Sequence, residues 1–225
     1  MKKESSHNSD HHQRKHPEDP AARAWFMIFV LIVCIGIMIY IDFNRRLWNA
    51  PPPQPIAGRY WGDPDAQLKI TQFLDFQSLD VVRGEQLIYQ FFQKHPTGVF
   101  LQTRYFPQDE KSLLIAIAVE CANQQHKFRI YTAHLFDRYF QWSGLPGAMP
   151  VLKTIAGELG IDKDEFKRCM ASSDTLSTIM VDKVYGESLF VRSTPSYFLN
   201  GKIVVGVDAL EKALQDWDEP LTQDE

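Results

Sequence analysis

The hydrophobic positions along the chain predict one long apolar segment followed by a domain of alternating strands and helices. Residues 24–41 form a run of 18 uncharged and mostly apolar residues. After a proline-rich stretch, residues 67–76 alternate and then become apolar, which is typical of a central strand. Apolar residues at helical spacing follow over 78–94, and residues 98–106 predict the next strand. This order predicts a βαβ unit with a parallel pair of strands.

The second half of the domain is predicted to be mostly helical before it returns to strands. A hairpin is predicted over 196–206, because Asn200-Gly201 is a preferred dipeptide of two-residue turns. Asp208 is placed to cap a final helix that runs to Trp217. The whole order predicts an α/β sandwich with an inserted helical subdomain. The remaining helices are predicted over 110–125, 127–141, 149–159, 163–172 and 174–190.

We interpret residues 24–43 as a transmembrane helix that is not cleaved. At ~1.5 Å per residue the apolar run covers about 27 Å, close to the hydrocarbon thickness of a bilayer. A signal peptide is the alternative, but the run is longer than a usual apolar region of that kind and no small-residue cleavage site follows it. We predict a disordered cytoplasmic tail over 1–23 and a proline-rich spacer over 44–57. Basic residues are nearly balanced on the two sides, so charge does not decide the orientation.

The charge balance and the histidine positions argue against two classes of ligand. The formal net charge is -4 and no long stripe of Lys and Arg is present, so nucleic acid is not an expected partner. His7, His11, His12 and His16 lie where no strand or helix pattern arranges them around a metal ion. We therefore predict no metal site and no cofactor.

Short strings distributed over residues 58–216 carry a family resemblance. They include Gly62–Ala66, Phe73–Gln77, Glu120–Ala122, Leu159–Ile161, Val191–Pro195, Tyr197–Gly201 and Val204–Gly206. Together they resemble the DsbA-like thioredoxin-fold family. The resemblance implies, over 58–216, a thioredoxin-like α/β fold with an inserted helical subdomain. We predict that the transmembrane helix precedes this domain and that an acidic tail over 217–225 follows it. The resemblance also implies a bacterial inner-membrane protein whose C-terminal domain lies in the periplasm.

The redox motif of this family departs from its pattern in this chain. A Cys-x-x-Cys motif would follow Gln77, but the four positions are Ser78, Leu79, Asp80 and Val81. Thiol–disulfide exchange needs one thiolate to attack and a second thiol to resolve the intermediate. A serine hydroxyl and a valine supply neither, so we predict no catalytic residues at this motif.

The side chains around this degenerate motif have simpler roles. No histidine lies between Ser78 and His95 to act as a base, so Ser78 is expected to cap the helix rather than attack a substrate. Asp80 suits the first turn of that helix. Asp75 ends a buried strand, where a carboxyl group can shuttle protons. Without cysteines to serve, a structural role is the preferred interpretation.

Three cysteines remain to be placed. The resemblance implies a structural disulfide between Cys121 and Cys169, and two buried free thiols are the alternative. Cys34 lies in the apolar segment, where it contacts lipid or another helix. Neither arrangement gives a Cys-x-x-Cys motif.

The resemblance also implies a binding groove. It predicts a cis bond between Thr194 and Pro195, against an ordinary trans turn, and places this edge beside Ser78 for pairing with extended peptide. We expect a membrane-anchored module that binds a protein or peptide client, acts as a chaperone, or serves a membrane protein complex as an accessory subunit. The alternative is a thiol–disulfide oxidoreductase that uses Cys121 or Cys169.

Overall fold

The computed structural model describes the backbone of residues 20–48 and 56–222, and the side chains of residues 25–39 and 56–218. The chain divides into two units, residues 1–53 and residues 54–225. The predicted tail before residue 20, the spacer residues 49–55 and the last three residues of the predicted acidic tail lie outside the described ranges.

The described part of the first unit, residues 20–48, is one helix. Helix α1 covers Pro20–Trp48 and so extends beyond both ends of the predicted segment 24–43, including residues assigned to the spacer. All of its described side chains are exposed. Of the helices in the described ranges, none combines the length and the apolar character that crossing a bilayer requires.

A five-stranded mixed sheet forms the centre of the second unit. The strand order is β1-β3-β2-β4-β5, with β2 and β3 parallel and the other neighbours antiparallel. The predicted βαβ unit and the hairpin around Asn200-Gly201 are confirmed, whereas β1 was not predicted because three residues show no alternation. The strands are β1 Tyr60–Gly62, β2 Leu68–Leu74, β3 Val99–Tyr105, β4 Ser196–Leu199 and β5 Lys202–Val205.

The helices confirm the predicted order with two corrections. The predicted helix over 127–141 is divided at Arg138, where the backbone φ and ψ of -103° and 14° leave helical geometry. Asp208 does not cap the last helix, because that helix begins at Val207 and continues past Trp217. The helices of this unit are α2 Leu79–Lys94, α3 Glu110–Gln124, α4 Phe128–Asp137, α5 Tyr139–Trp142, α6 Met149–Glu158, α7 Lys163–Met170, α8 Ser173–Ser188 and α9 Val207–Thr222.

The two faces of the sheet bury different side chains, because alternate residues of a strand point to opposite faces. On one face Ile70 joins a cluster with apolar residues of α2 and α9, among them Leu210. On the other face Phe73 contacts Phe106 and the residues of α8. Gly186 lets α8 come close, since a Cβ there would lie 2.8 Å from the Phe106 ring.

A buried ionic cluster connects α8 and α3 to the sheet. The carboxylate of Asp182 pairs with Arg59 and, at 2.7 Å, with Arg104, and it accepts the N–H of Tyr105 at 3.1 Å. The phenol of Tyr105 donates to Glu120 at 2.8 Å, and Arg59 lies 3.5 Å from the same carboxylate. All five residues are buried. Removing one charge would leave the others uncompensated, which is strongly destabilising in a buried cluster.

The helices of the inserted subdomain pack in one core cluster that also includes Phe76, Val81 and Tyr105, and the disulfide lies within this cluster. The bond between Cys121 and Cys169 is present, as the resemblance implied, and links α3 to α7. The two residues are 0% and 7% exposed, so they lie away from solvent. Cys34 is free and exposed on α1. The cysteine pair therefore belongs to the packing of the helices.

Replacing both bonded cysteines with serine should lower the free energy of unfolding by about 4 kcal/mol, because the cross-link no longer restricts a loop of 48 residues in the unfolded chain. Urea unfolding of the full chain, followed by tryptophan fluorescence, measures this difference. The Cys34→Ser variant is the control and should leave stability unchanged. Equal unfolding midpoints for the double variant and the unmodified chain would contradict the prediction.

Candidate functional site

The degenerate motif lies where β2 leads into α2. Helix α2 starts at Leu79, so Ser78 occupies the N-cap position with an extended backbone. Leu79 is 43% exposed and Asp80 is also exposed in the first turn, as predicted. Val81 is fully buried and packs in the same core cluster as Phe76. The motif therefore presents an apolar side chain and a carboxylate to solvent beside the half-buried Ser78, while its fourth position fills the core.

The expected capping role of Ser78 needs a correction. Its side chain makes no capping hydrogen bond, although its backbone has the extended geometry of an N-cap. Two described histidines that could have approached Ser78, His95 and His134, lie beside other groups instead. His95 lies at the opposite end of α2, about 24 Å along the helix, where its Nε2 is 2.8 Å from Asp218. His134 faces Glu158 in the helical subdomain.

Thr194 and Pro195 lie at the same end of the sheet as Ser78, and the three residues form an edge there. The peptide bond between them is cis, as expected. Ser196 pairs with Phe73, so Pro195 comes level with the end of β2, from which the chain continues to Ser78. Within the described part of the chain, the backbone N–H and C=O of Thr194 have no hydrogen-bond partner. An unpaired backbone donor and acceptor are what an extended peptide needs for main-chain pairing.

Asp75 is buried beneath this edge. Its carboxylate accepts the backbone N–H of Gln77 at 2.9 Å and that of Gln108 at 3.2 Å. Burial raises the pKa of Asp75, and the two hydrogen bonds oppose that rise without cancelling it. The carboxylate thus fixes two loops of the site, which agrees with the structural role preferred from the sequence.

The helical subdomain also contacts the site directly. The phenol of Tyr139 donates to the carbonyl of Gln77 at 2.9 Å, immediately before Ser78. The side chain of Gln77 in turn donates to Asp109 at 3.0 Å. Burial raises the pKa of Tyr139, and the negative charges of Asp75 and Asp80 raise it further. Tyr139 was not identified from the sequence, because nothing local to a helical tyrosine indicates a contact 62 residues away.

The start of α2 is brought close to β4 by a glycine. A Cβ on Gly84 would clash with the phenol oxygen of Tyr197, which is fully buried. Tyr197 pairs with Gln72 across the two strands, and burial raises its pKa well above the usual value. The separation between α2 and the strand that follows Pro195 therefore depends on a missing side chain.

Comparison with known families identifies the class of protein. Residues 98–216, more than half of the chain, match the model of the DSBA-like thioredoxin domain. The chain therefore belongs to the family of DSBA-like thioredoxin domains. The predicted α/β fold with an inserted helical subdomain is confirmed by this match and by similar solved structures.

Three solved structures illustrate the similarity of fold. α-DsbA1 of Wolbachia pipientis is 17% identical with a TM-score of 0.65, over 79% of this chain and 98% of that one. A thioredoxin-like oxidoreductase from Silicibacter pomeroyi is 23% identical with a TM-score of 0.57, over 69% and 91%. A periplasmic thioredoxin-like protein from Salmonella enterica serovar Typhimurium is 16% identical with a TM-score of 0.59, over 78% and 95%.

Curated relatives of this chain are much longer proteins. The Na(+)/H(+) antiporters NhaA 1 from Mycobacterium strains KMS and JLS are each 26% identical over 218 residues. The match covers 82% of this chain and 32% of each relative. The chain thus spans about a third of the length of the curated relatives it matches.

The buried carboxyl group of Asp75 should make stability fall as the pH rises. Because burial raises its pKa above the unfolded value of about 3.9, the folded protein holds this proton more tightly than the unfolded chain. This contribution is complete below the unfolded pKa and is lost as the pH rises through the folded pKa. The stability of the unmodified chain minus that of Asp75→Asn, measured by urea unfolding from pH 3 upward, should therefore decrease.

Asp109 supplies a control of opposite sign at the same site. A hydrogen bond from the N–H of Ser112 lowers the pKa of Asp109, so its contribution is present above the unfolded pKa and is lost as the pH falls. The corresponding difference for Asp109→Asn should increase with pH. A difference for Asp75→Asn that stays constant or increases with pH, while that for Asp109→Asn increases, would refute the assignment of Asp75 as the buried acid with a raised pKa.

Proposed function

We propose that this protein is a membrane-anchored, redox-silent DsbA-like domain that binds an extended segment of a client protein along the edge formed by Ser78, Thr194 and Pro195. The observation that carries the proposal is the unpaired backbone of Thr194 beside a motif without cysteines. Main-chain hydrogen bonds supply affinity in this mode of recognition, and side chains along the edge supply selectivity. The activity is binding, either as a chaperone or as an accessory subunit of a membrane complex.

Exposed apolar side chains support a peptide ligand at this edge. Leu79 is exposed on the α2 side, and Val205, which pairs with Ser196 next to Pro195, is 51% exposed on the other. Extended peptides use both main-chain pairing and contacts from alternate side chains. An apolar residue of the client on each side would remove these two side chains from water.

Membrane anchoring is part of the proposal and rests on the sequence. Residues 24–41 carry no charge, and charged residues lie on both sides of this run. The matched Mycobacterium relatives are named as Na(+)/H(+) antiporters, which supports a role beside a membrane transport protein. We propose that the domain lies on the periplasmic side of a bacterial inner membrane, tethered through residues 24–43.

The alternative, an oxidoreductase that uses other cysteines, is less favoured. Cys121 and Cys169 are bonded to each other and buried in the core of the helical subdomain, so no substrate disulfide reaches either sulfur. Cys34 is a single thiol on α1 and has no second thiol beside it to resolve a mixed disulfide.

Restoring the two sulfurs should create the missing activity. The full chain in a mild detergent should show no insulin reduction by dithiothreitol above a Cys121→Ser, Cys169→Ser control. The variant Ser78→Cys with Val81→Cys should reduce insulin, because both residues occupy the start of a helix whose dipole favours a thiolate. Ser78→Cys alone is the matched control and should be inactive. Turnover by the unmodified chain would reject redox silence.

Peptide binding should depend on the N–H of residue 194. Thr194→Pro removes this donor, whereas Thr194→Ala keeps it. In fluorescence anisotropy with a pool of labelled ten-residue peptides of mixed sequence, Thr194→Pro should bind about tenfold more weakly, a loss of ~1.4 kcal/mol. Thr194→Ala should bind like the unmodified chain.

Thermal unfolding identifies a Thr194→Pro variant that fails to fold. In that event Leu79→Glu, which places a charge on the exposed apolar side of the edge, gives the second measurement. Undiminished peptide binding by a folded variant of either kind would reject the proposed groove.

A further inference from the structure

A cavity lies next to the proposed groove, which is the edge formed by Ser78, Thr194 and Pro195. It has a volume of about 390 Å³ and is lined by Phe106, Gln108, Lys183, Glu187, Val191 and Arg192. Phe106 and Val191 are buried and form an apolar floor, and Lys183, Glu187 and Arg192 supply charged groups around it. An apolar floor with a few convergent polar groups is typical of a ligand site.

Two cations in this cavity lack a carboxylate partner. The ammonium of Lys183 donates to the carbonyl of Pro107 at 2.8 Å, and it lies 6.0 Å from the centre of the Phe106 ring. Arg192 donates to the carbonyl of Val191 at 3.1 Å. Within the described residues, neither side chain comes within ion-pair distance of an Asp or Glu carboxylate. Both cations are thus held in place by backbone carbonyls, and their charge remains available.

The backbone that carries Lys183 is fixed by the residues around it. Its neighbour Asp182 is at the centre of the buried ionic cluster, and Gly186 brings the same helix against Phe106. Gln108, on the other side of the cavity, has its N–H bound by Asp75. A site with prearranged groups loses less free energy on binding than one whose side chains must first be ordered.

The cavity is within reach of a peptide in the groove. Arg192 precedes Thr194 by two residues, and two residues of extended chain span about 7 Å. Phe106 and Gln108 follow β3, whose parallel neighbour β2 leads to Ser78. Both the groove and the cavity therefore lie at the carboxyl ends of these strands, where open sheets of this class place their ligands.

We propose that this cavity is a carboxylate subsite of the groove, in which Lys183 and Arg192 bind an acidic group of the client and Phe106 contacts its methylene groups. This inference rests on the proposed function, because the client that carries the carboxylate is part of that proposal. The carboxylate belongs either to a Glu or Asp side chain or to the C-terminus of the client. Arg pairs with carboxylates through two parallel hydrogen bonds, and Lys acts as a point charge. Glu187 lowers the affinity, because it adds a like charge beside the ligand.

Small probes test the subsite without requiring that any peptide bind. The full chain, labelled with ¹⁵N in an uncharged detergent, is titrated with N-acetyl-glutamate methylamide and with its neutral isostere N-acetyl-glutamine methylamide. The charged probe should shift the amide signals of Gln108, Glu187 and Arg192, with an affinity about tenfold above that of the neutral probe. N-acetylglycine, which carries an α-carboxylate, distinguishes the two sources, and the tighter of the two charged probes names the source.

Four variants complete the test. Lys183→Gln and Arg192→Gln should each weaken binding of the charged probe by about tenfold, and Glu187→Gln should tighten it. Lys202→Gln removes an exposed cation on β5 outside the cavity and should have no effect. Equal shifts from charged and neutral probes, or full binding by Lys183→Gln and Arg192→Gln, would overturn the subsite. Neither result bears on the anisotropy of the peptide pool, so the two proposals fail separately.

Discussion

The buried carboxylate of Asp182 is the constraint on which the arrangement of this domain depends. It compensates two arginines that enter the interior from different parts of the chain, one ahead of β1 and one within β3. A charge that is buried in the protein interior without a partner is costly. The sheet and α8 therefore have to meet in the one relative position that pairs these charges. An apolar contact would tolerate sliding of the helix, whereas paired charges with fixed hydrogen bonds do not. The relative position of α8 and the sheet also sets the shape of the proposed groove and of the cavity at the carboxyl ends of the strands.

Much of the fold could be predicted from the sequence, because its signals are local. The strands β2 and β3 are marked by apolar runs between turn residues, and Asn200-Gly201 adopts the positive φ angles, 47° and 84°, that the hairpin requires. The short strand β1 has no such signal, since its pairing with β3 is decided by residues far away. The pairing of Arg59 with Asp182 also escaped, because 123 residues separate the two in the chain. No local motif in the sequence links these two charged residues.

The candidate site likewise has features that the sequence predicts and features that it does not. The loss of both sulfurs at Ser78 and Val81 is readable from the sequence once the family is recognised, and the geometry of Pro195 follows from the same resemblance. The contact of Tyr139 with the loop before the motif is not readable, because it depends on how the helical subdomain folds back. Val81 suits this scaffold, since the position is buried and an apolar residue fills it. The disulfide between Cys121 and Cys169 lies in the same core cluster as Val81 and is present although the motif has no cysteines.

Gly84 has a consequence for how this groove can change. The phenol oxygen of Tyr197 occupies the place that a side chain on Gly84 would take. The close packing of α2 against β4, which sets the width of the proposed groove, therefore depends on buried residues. A methyl group there would displace the phenol of Tyr197 or push α2 outward. In the second case the proposed groove would widen without a change in Ser78, Thr194 or Pro195. The selectivity of the proposed groove for peptides with larger or smaller side chains would then depend on a buried position, and not only on the surface that a client would contact.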